Sequence, residues 1–342
     1  MTAHDPIGVG VIGTGGFCNR FWSEAQASPE VRIVSCWDPN PENSERFSDT
    51  FGCRRSAGLD SLVRDPEVQA VAIFSPNSHH RVPAEAAAHA GKHVYVEKPI
   101  ANTVEDAAAM IGACERNGVI LMVGHSLRYR GVSRAVRALL DQGALGEIAM
   151  AEINLSYGNG RWLTESDWRW HRAESPGGPL MLLSVHSFDT LHYLFGLSRR
   201  VTALSNCSLL PSEIEDVFLA LIEFESGVLA YAGTNYVAPW TDFVHVYGMD
   251  GIARAEADKV TYSKLEGKWE LKPVDVPCPE LPMYISEMGE FARAIREGTR
   301  PETSGKEGLM ALAVVIACLE SAEHGRTVAI SEVLGDAAAL IR

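Results

Sequence analysis

The sequence has no apolar segment long enough to cross a membrane. Its longest apolar run, residues 309–319, is about half of the roughly 20 residues that a membrane-spanning helix needs. The N-terminus carries neither the basic segment nor the apolar stretch of a secretory signal. We therefore expect a cytoplasmic protein with no membrane partner.

Basic charge is also scarce. The chain has 30 Lys and Arg against 44 Asp and Glu, which gives a formal net charge of −14. Nucleic acids and anionic membrane surfaces bind proteins through basic patches. The charge balance therefore argues against a nucleic-acid partner.

Paired cysteine motifs are missing. The seven cysteines are scattered, with no C-x-x-C pair and no spacing typical of zinc. This pattern predicts buried, reduced thiols and no metal site. The length of 342 residues is sufficient for two domains, each with its own core.

A glycine-rich turn stands near the N-terminus. The β-branched run of residues 7–12 predicts a buried parallel strand, and a helix-compatible segment follows the turn. A strand, a glycine turn and a helix N-terminus together bind phosphate, which predicts a dinucleotide pyrophosphate site. Cys18 replaces the third glycine of G-x-G-x-x-G, and the turn alone is also compatible with an ordinary strand–helix loop. The cofactor residues predicted here are Gly13, Gly15, Gly16, Phe17 and Cys18.

The predicted second strand, residues 31–37, ends in Asp38. An acid at this position accepts the adenosine ribose hydroxyls of NAD and repels the 2′-phosphate of NADP. The alternative is a turn residue in the Asp-Pro-Asn-Pro sequence. With turn, strand and acid in order, we predict NAD as the cofactor rather than NADP.

Residues 1–125 alternate strand and helix, which predicts a Rossmann domain with a parallel sheet. Ligands bind beyond the carboxyl ends of such strands, and three polar clusters follow three predicted strands, 70–74, 93–96 and 119–123. The further cofactor residues predicted from these clusters are Ser75, Pro76, Asn77, His80, Glu97, Lys98 and His125.

The pattern changes in residues 126–342. Long alternating strands joined by tight turns predict an α+β substrate-binding and oligomerisation domain with a large, mostly antiparallel open sheet. Helices at 180–195, 282–297 and 306–324 are expected to cover one of its faces. The fold class predicted for the whole chain is α/β.

Lys98 is the first candidate catalytic residue. It follows a predicted buried strand, within the sequence Glu-Lys-Pro. Partial removal from water lowers the pKa of a lysine toward neutral pH, so that it can act as an acid, a base or an electrostatic clamp. A surface lysine is the alternative.

Four segments together resemble the Gfo/Idh/MocA oxidoreductases, the relatives of glucose–fructose oxidoreductase and inositol dehydrogenase. The segments are residues 13–18, 75–80, 90–100 and 176–189, and the resemblance extends over nearly the whole chain. It implies the two-domain fold above, NAD(P), a sugar or cyclitol substrate, and a homodimer or homotetramer assembled through the open sheet. By position it makes Lys98 and His186 the catalytic residues.

Further residues are predicted to bind substrate. Asp189 shares a helical face with His186, and Arg128 resembles a cleft-lining position, although it is equally suited to a structural ion pair. The Trp- and Arg-rich segment 161–172 is suited to sugar binding or to pinning the domain interface. It contributes Arg161, Trp168, Arg169 and His171.

One position departs from the resemblance. Many relatives carry an aspartate four residues before the histidine, where this chain has Leu182. Either Leu182 gives the substrate pocket an apolar wall, or it packs in the core. We therefore keep three functions open: an NAD-dependent oxidoreductase acting on a secondary alcohol, a redox-neutral sugar-processing enzyme that oxidises its substrate transiently, and a non-catalytic NAD-binding regulator.

Overall fold

The computed structural model describes residues 5–341, which form two compact units. The first comprises residues 5–126, Pro282–Leu309 and residues 339–341, and the second comprises Leu127–Leu281 and Met310–Ala338. Pro282–Leu309 therefore packs with the N-terminal unit, whereas the sequence suggested that the whole C-terminal part belongs to the second. The cause is an apolar contact, since the Tyr284 ring lies 4.7 Å from that of Phe21 between ring centroids.

The first unit is built on a parallel sheet with the order β3-β2-β1-β4-β5-β6. Its strands are β1 (Ile7–Ile12), β2 (Val31–Trp37), β3 (Arg54–Arg55), β4 (Ala70–Ile73), β5 (His93–Glu97) and β6 (Leu121–Gly124). Its first helices are α1 (Gly16–Ala25), α2 (Pro41–Phe51), α3 (Leu59–Val63), α4 (Arg81–His89) and α5 (Val104–Arg116).

Strand order explains where a ligand binds in this unit. The chain crosses from β2 on one side of β1 to β4 on the other, so the order reverses next to β1. In open parallel sheets this reversal opens a crevice at the carboxyl ends of the strands. The strands β1, β4 and β5 are mostly apolar and almost fully buried, as is typical of the central strands of a parallel sheet.

The second unit contains a larger sheet. Its strands are β7 (Ile148–Ser156), β8 (Ser198–Asn206), β9 (Val217–Phe224), β10 (Leu229–Asn235), β11 (Thr241–Gly248), β12 (Gly251–Glu256), β13 (Lys259–Glu266), β14 (Glu270–Val276) and β15 (Val328–Ala329). The remaining helices of the chain are α6 (Gly131–Asp141), α7 (Val185–Phe195), α8 (Met283–Glu297), α9 (Gly305–His324) and α10 (Ile330–Leu334). Of these, α8 and the start of α9 belong to the first unit.

The larger sheet is mixed and mostly antiparallel. Its order is β14-β13-β12-β11-β7-β10-β9-β8-β15, and β7 and β10 run parallel. The helices α6 and α7 contact β12 and β7, and side chains on that face are buried. On the opposite face large apolar side chains alternate outward and are exposed, including Leu219, Leu221, Leu229 and Tyr231. The predicted α/β fold with a parallel and a mostly antiparallel sheet is confirmed.

Candidate functional site

The glycine turn after β1 has a backbone that only glycine suits. Gly13 has φ +79°, and a Cβ there would lie 2.5 Å from the Ser75 backbone nitrogen. A side chain at Gly15 or Gly16 would instead point into open space. The turn therefore packs tightly against the loop after β4 and leaves its outer backbone accessible at the start of α1.

The N-terminus of α1 is suited to an anion. No side chain caps it, and its first turn contains no acidic residue. The N–H groups of a first helical turn lack partners within the helix and carry partial positive charge. Cys18 is 1% exposed, so the small thiol at the third-glycine position keeps α1 close to the sheet, and Phe17 lies at the surface with 38% exposure.

Asp38 is bound to the glycine turn. Its Oδ2 accepts the Thr14 backbone N–H at 2.7 Å and the Thr14 hydroxyl at 3.3 Å, and its Oδ1 accepts the Asn40 N–H at 2.8 Å. The residue predicted for ribose binding thus also fixes the conformation of the predicted phosphate turn. Asp38 and the glycine turn both lie at the carboxyl ends of the parallel strands.

The loops after β4 and β5 are joined through His80. One ring nitrogen lies 2.8 Å from the Ser75 carbonyl, and the other lies 3.1 Å from that of Pro99 and 3.2 Å from that of Ile100. The ring is fully buried, and burial lowers the pKa of His80 to about 4, so it is neutral at pH 7. The His80 imidazole therefore connects the loop after β4 to the loop that carries Lys98.

Asn77 follows Ser75 and Pro76 in a short 3₁₀ turn. The residue is 5% exposed, and its Nδ2 has no hydrogen-bond acceptor within the described residues 5–341. A buried amide without an acceptor costs free energy unless a bound group satisfies it. Asn77 therefore fits a polar ligand at this sheet edge.

Lys98 directly follows β5, and the Lys98–Pro99 peptide is cis. Its side chain is half-buried. The neighbouring Glu97 carboxyl is 6% exposed and accepts the Lys98 backbone N–H at 3.1 Å. Burial raises the pKa of Glu97 to about 7, although the Lys98 charge opposes this shift. His125, at the end of β6, is buried.

His186 lies on α7 in the second unit and is half-buried. A π-helical segment, Leu180–Ser184, precedes α7, whereas the sequence predicted one continuous helix over 180–195. Gly177 and Gly178 adopt positive φ of 76° and 46° just before it. Local π-helical winding shifts the register of the following side chains, and it is often found at functional sites.

Leu182 lies in an apolar cluster. It is 6% exposed and packs with the buried Ile214 and Tyr236. Leu163, Trp168, Leu183 and Leu210 cover the cluster from outside. Of the two interpretations of Leu182, packing in the core has direct structural support.

Arg128 and Asp189 are bonded to each other. Arg128 Nε donates to Asp189 Oδ2 at 2.8 Å, and Nη2 donates to Oδ1 at 2.7 Å. They are 7% and 1% exposed. The sequence left a structural ion pair open for Arg128, and the structure contains one. The predicted binding of substrate by Arg128 and Asp189 stays a prediction. The pair fixes α7, and with it the backbone that carries His186.

The aromatic segment of residues 161–172 is held by ion pairs and stacking. The Arg169 guanidinium lies 4.3 Å from the Trp168 ring centroid, and that of Arg161 lies 5.9 Å from Trp162. His171 Nδ1 lies 3.2 Å from Glu213, and Nε2 lies 2.9 Å from the Glu165 carbonyl. These acceptors, the carbonyl first, raise the pKa of His171.

The structure thus brings together the predicted residues of each unit separately. In the first unit the glycine turn, Asp38, the loop of Ser75 to Asn77, and Lys98 share one sheet edge. In the second, Trp168 and Leu182 share a cluster, and Arg128 and Asp189 support the helix of His186. Among residues 5–341, no group of three His, Cys, Asp or Glu is placed to hold a metal ion, and no helix is long and apolar enough to cross a membrane.

Two residues escaped the sequence reasoning. Arg55 lies on β3 and pairs with Cys36 on β2, and Cys36 stands two residues before Asp38. The position of Arg55 near Asp38 follows only from the pairing of the two strands. Glu287 is fully buried on α8. Its signal was present, because Tyr284, Met288 and Phe291 define the apolar face of that helix and position 287 falls on it.

Comparison with known proteins gives two family matches. Residues 7–125 match the GFO_IDH_MocA model, an oxidoreductase family with an NAD-binding Rossmann fold. Residues 137–330 match the C-terminal alpha/beta domain of that oxidoreductase family.

Individual relatives cover most of the chain. The 1,5-anhydro-D-fructose reductase of Ensifer adhaerens is 28% identical, over 93% of this chain and 96% of its own length. The 2,7-anhydro-N-acetylneuraminate hydratase of Escherichia coli is 27% identical, over 75% and 69%. A crystal structure of a proposed NADPH-dependent oxidoreductase from Desulfitobacterium hafniense superposes with a TM-score of 0.93 at 30% identity, over 97% of this chain and 100% of that one. The chain belongs to the Gfo/Idh/MocA oxidoreductase family.

Proposed function

We propose that this protein is an NAD-dependent enzyme that oxidises a secondary alcohol of a sugar, sugar derivative or cyclitol, or reduces the corresponding ketone. One observation carries the proposal: an open glycine cradle, an acid fixed to it and a half-buried lysine lie at the carboxyl edge of one parallel sheet. This is the edge at which dinucleotides bind in such folds.

The residues of this edge fit NAD. The N–H groups at the start of α1 bind the pyrophosphate, and the open space beside Gly15 and Gly16 lets it approach the backbone. Asp38 accepts the ribose hydroxyls and disfavours a 2′-phosphate. Asn77 offers its unmatched amide N–H to the same ligand. His80 and Glu97 support the loop that carries Lys98. The other predicted cofactor residues are Phe17 and Cys18 at the start of α1, Ser75 and Pro76 after β4, and His125 after β6; Cys18 and His125 are buried, so in this proposal they act by packing.

In the proposed reaction, side chains of this protein accept the proton that the substrate hydroxyl loses. The bound nicotinamide supplies the hydride acceptor for oxidation. Lys98, as the neutral amine, accepts the hydroxyl proton. His186 is the second residue that the family resemblance assigns to proton transfer.

The second unit supplies the sugar-binding surface in this proposal. Trp168 offers an aromatic face for sugar C–H groups, and Arg169, Arg161 and His171 offer hydrogen-bond donors to hydroxyls. Arg128 and Asp189 act by fixing α7. A sugar substrate also agrees with the name of the 1,5-anhydro-D-fructose reductase relative.

Leu182 favours a second candidate, a redox-neutral reaction in which NAD is retained. An apolar side chain in the cluster of Ile214 and Tyr236 cannot accept a proton where the resemblance expects an aspartate. The relative from Escherichia coli is a hydratase, and hydration has no net redox change. Product formation without accumulation of NADH distinguishes this candidate from the first.

The open sheet face supports a homodimer or homotetramer. Leu219, Leu221, Leu229 and Leu204 are between 55% and 69% exposed on that face. Contiguous apolar surface of this kind is characteristic of protein interfaces. A second copy of the chain, presenting the same face, covers it in this proposal.

A substrate screen tests the proposed function. Purified protein is incubated with NAD⁺ or NADP⁺ and with sugars, sugar acids and inositols, and absorbance at 340 nm is followed. We expect NADH formation with at least one polyol or sugar and a lower rate with NADP⁺. NAD⁺ binding without reduction by any of them, and without product by mass spectrometry, would favour a regulatory protein.

A further inference from the structure

Three large aromatic side chains are exposed in the second unit, near the carboxyl end of β7. Tyr157 is 36% exposed, Trp240 is 59% exposed and Trp162 is 76% exposed. The rings of Tyr157 and Trp240 meet edge to face, with 5.4 Å between ring centroids and an interplanar angle of 79°. Trp162 ends the short 3₁₀ segment Gly158–Trp162, which directly follows Tyr157. We call these three side chains the aromatic platform.

The rings of Tyr157 and Trp240 lie on the face of the larger sheet that the helices cover. Ile153 and Leu155 on β7 are buried on this face, beside α6 and α7. Tyr157 continues their alternation, because its backbone is also extended, with φ −158° and ψ 123°. Trp240 reaches the same place because it immediately precedes β11, whose first residue, Thr241, pairs with the last residue of β7.

The exposed leucines of the open sheet face lie on the other side. Leu229 pairs with Met150 on β7. Met150 and Tyr157 are an odd number of residues apart along extended backbone, so their side chains lie on opposite faces. The two surfaces also differ in composition, since the platform is aromatic and the Arg161 guanidinium lies 5.9 Å from the Trp162 ring centroid. The platform is therefore separate from the surface that we assign to a second copy of the chain.

The platform adjoins the cluster of Leu182. A Cβ at Gly160, within the 3₁₀ segment, would lie 2.5 Å from Leu210 Cδ1 and 2.7 Å from Tyr236 Cβ, and both side chains belong to that cluster. The Gly160 backbone N–H also donates to the Tyr236 carbonyl at 3.1 Å. Leu182 stands four residues before His186 in the chain. The platform thus borders the part of the second unit to which the proposed function assigns the substrate.

The backbone that carries the exposed rings is well fixed. Asn235 Oδ1 accepts the Ala238 backbone N–H at 2.7 Å, which shapes the loop before Trp240. The Tyr157 backbone N–H donates to the Asn235 carbonyl at 3.0 Å and connects this loop to the end of β7. A Cβ at Gly158 would lie 3.0 Å from the Ala238 carbonyl oxygen, so the two segments are in close contact. Rings presented by a fixed backbone lose less conformational entropy when they bind a ligand.

Exposed aromatic rings of this kind are suited to a sugar ring. Single exposed apolar side chains are ordinary, whereas a group of large ones marks a binding surface. The C–H groups of a sugar ring form an apolar face that packs against an aromatic ring. The sugar hydroxyls remain in water or accept hydrogen bonds from a nearby donor such as Arg161.

We propose that Tyr157, Trp162 and Trp240 form a second sugar subsite, so that the substrate is a glycoside in which the sugar ring that reacts is joined to another sugar ring. The proposal rests on the proposed function in taking the substrate to be a sugar. The other sugar ring packs on the platform and takes no part in the reaction. The platform therefore raises the affinity for a disaccharide and leaves the affinity for a monosaccharide unchanged.

Calorimetric titration tests the subsite without turnover. The protein is saturated with NADH, which cannot oxidise a sugar, and titrated with cellobiose, maltose, lactose and sucrose and with the monosaccharides that compose them. We expect at least one disaccharide to bind about tenfold more tightly than either of its monosaccharides, because the second ring adds an aromatic contact. If no disaccharide of this set binds more tightly than its monosaccharides, the proposal is overturned.

Aromatic substitutions then locate the effect. Trp240→Ala and Trp162→Ala should each weaken binding of the best disaccharide about tenfold, with monosaccharide binding within about twofold of wild type. Trp240→Phe retains a ring and should restore most of the affinity. The control is Trp269→Ala, at a tryptophan that is 81% exposed in the turn between β13 and β14, and it should bind as wild type. Equal weakening in the control and in the platform variants would overturn the proposal.

Two further outcomes separate the subsite from its alternatives. If light scattering gives Trp240→Ala a smaller mass than wild type, a second copy covers the platform and the sugar subsite is wrong. If a disaccharide binds through the platform but yields neither NADH from NAD⁺ nor any product, the proposed function fails and the subsite stands. If a monosaccharide is oxidised with a kcat/KM as high as that of any disaccharide, the proposed function stands and the subsite fails.

Discussion

The Asp38 carboxylate accepts the Thr14 backbone N–H at 2.7 Å, so the acid after β2 also fixes the conformation of the glycine turn. An acid that only repelled a 2′-phosphate would not need this bond. Removing its charge and removing its hydrogen bond are therefore different experiments.

Asp38→Asn retains an acceptor for Thr14 and removes the charge. We expect it to bring the Kd for NADP⁺ closer to that for NAD⁺ by about tenfold, or ~1.4 kcal/mol, because like-charge repulsion is lost. Asp38→Ala should also weaken NAD⁺ binding, because a charge-assisted hydrogen bond is worth about 1.5–3 kcal/mol. Titration of cofactor fluorescence measures both. A wild-type protein that prefers NADP⁺ more than tenfold would contradict the assignment of NAD as the cofactor. Arg55, on the strand next to β2, would then be the candidate for binding the 2′-phosphate.

Leu182 gives a second prediction. It is buried against Ile214 and Tyr236, so Leu182→Asp places a carboxylate in an apolar cluster. We expect the free energy of unfolding to fall by about 2–4 kcal/mol in urea denaturation, whereas Leu182→Met should cost less than about 1.5 kcal/mol. A stable Leu182→Asp variant that shifts preference from a deoxy or O-alkylated sugar to the parent polyol would instead place Leu182 in the substrate pocket.

The buried pair of Arg128 and Asp189 gives a third. Arg128→Met leaves Asp189, which is 1% exposed, as an unpaired buried charge, and we expect a loss of about 3–5 kcal/mol of stability. The matched control is the pair of Arg199 and Glu223, where the arginine side chain is 68% exposed and Arg199→Met should cost less than about 1 kcal/mol. Equal losses in the two variants would show that the buried pair is not a structural clamp.

The first half of the fold could be predicted because its signals are local. A β-branched strand, a glycine turn and a helix start follow one another within residues 7–25, and each strand end is followed by its polar cluster. The partners of the site residues could not be predicted in the same way. Asp189 lies 61 residues from Arg128 and Glu287 lies 161 from Ser126, so their contacts depend on tertiary packing rather than on spacing. The strand β14, with mostly exposed residues, also lacks the apolar alternation that reveals a strand.

The exposed sheet face gives a fourth prediction. Leu221→Glu, at a side chain that is 64% exposed, should reduce the mass measured by light scattering to that of a smaller assembly, because a charge then faces apolar surface. Val82→Glu on α4, at 67% exposure, should leave the mass unchanged. A wild-type monomer at micromolar concentration would contradict the assembly proposal.

The most direct test of the account compares Lys98→Met with wild type on the best substrate of the screen. NAD⁺ affinity, from fluorescence titration, should remain within about threefold, since Lys98 lies beyond the glycine cradle, and Lys268→Met should behave as wild type. We expect kcat to fall by about 10²–10⁴, the usual effect of removing a general acid–base group. A variant that binds NAD⁺ normally and retains more than about a tenth of wild-type kcat would contradict the central role of Lys98.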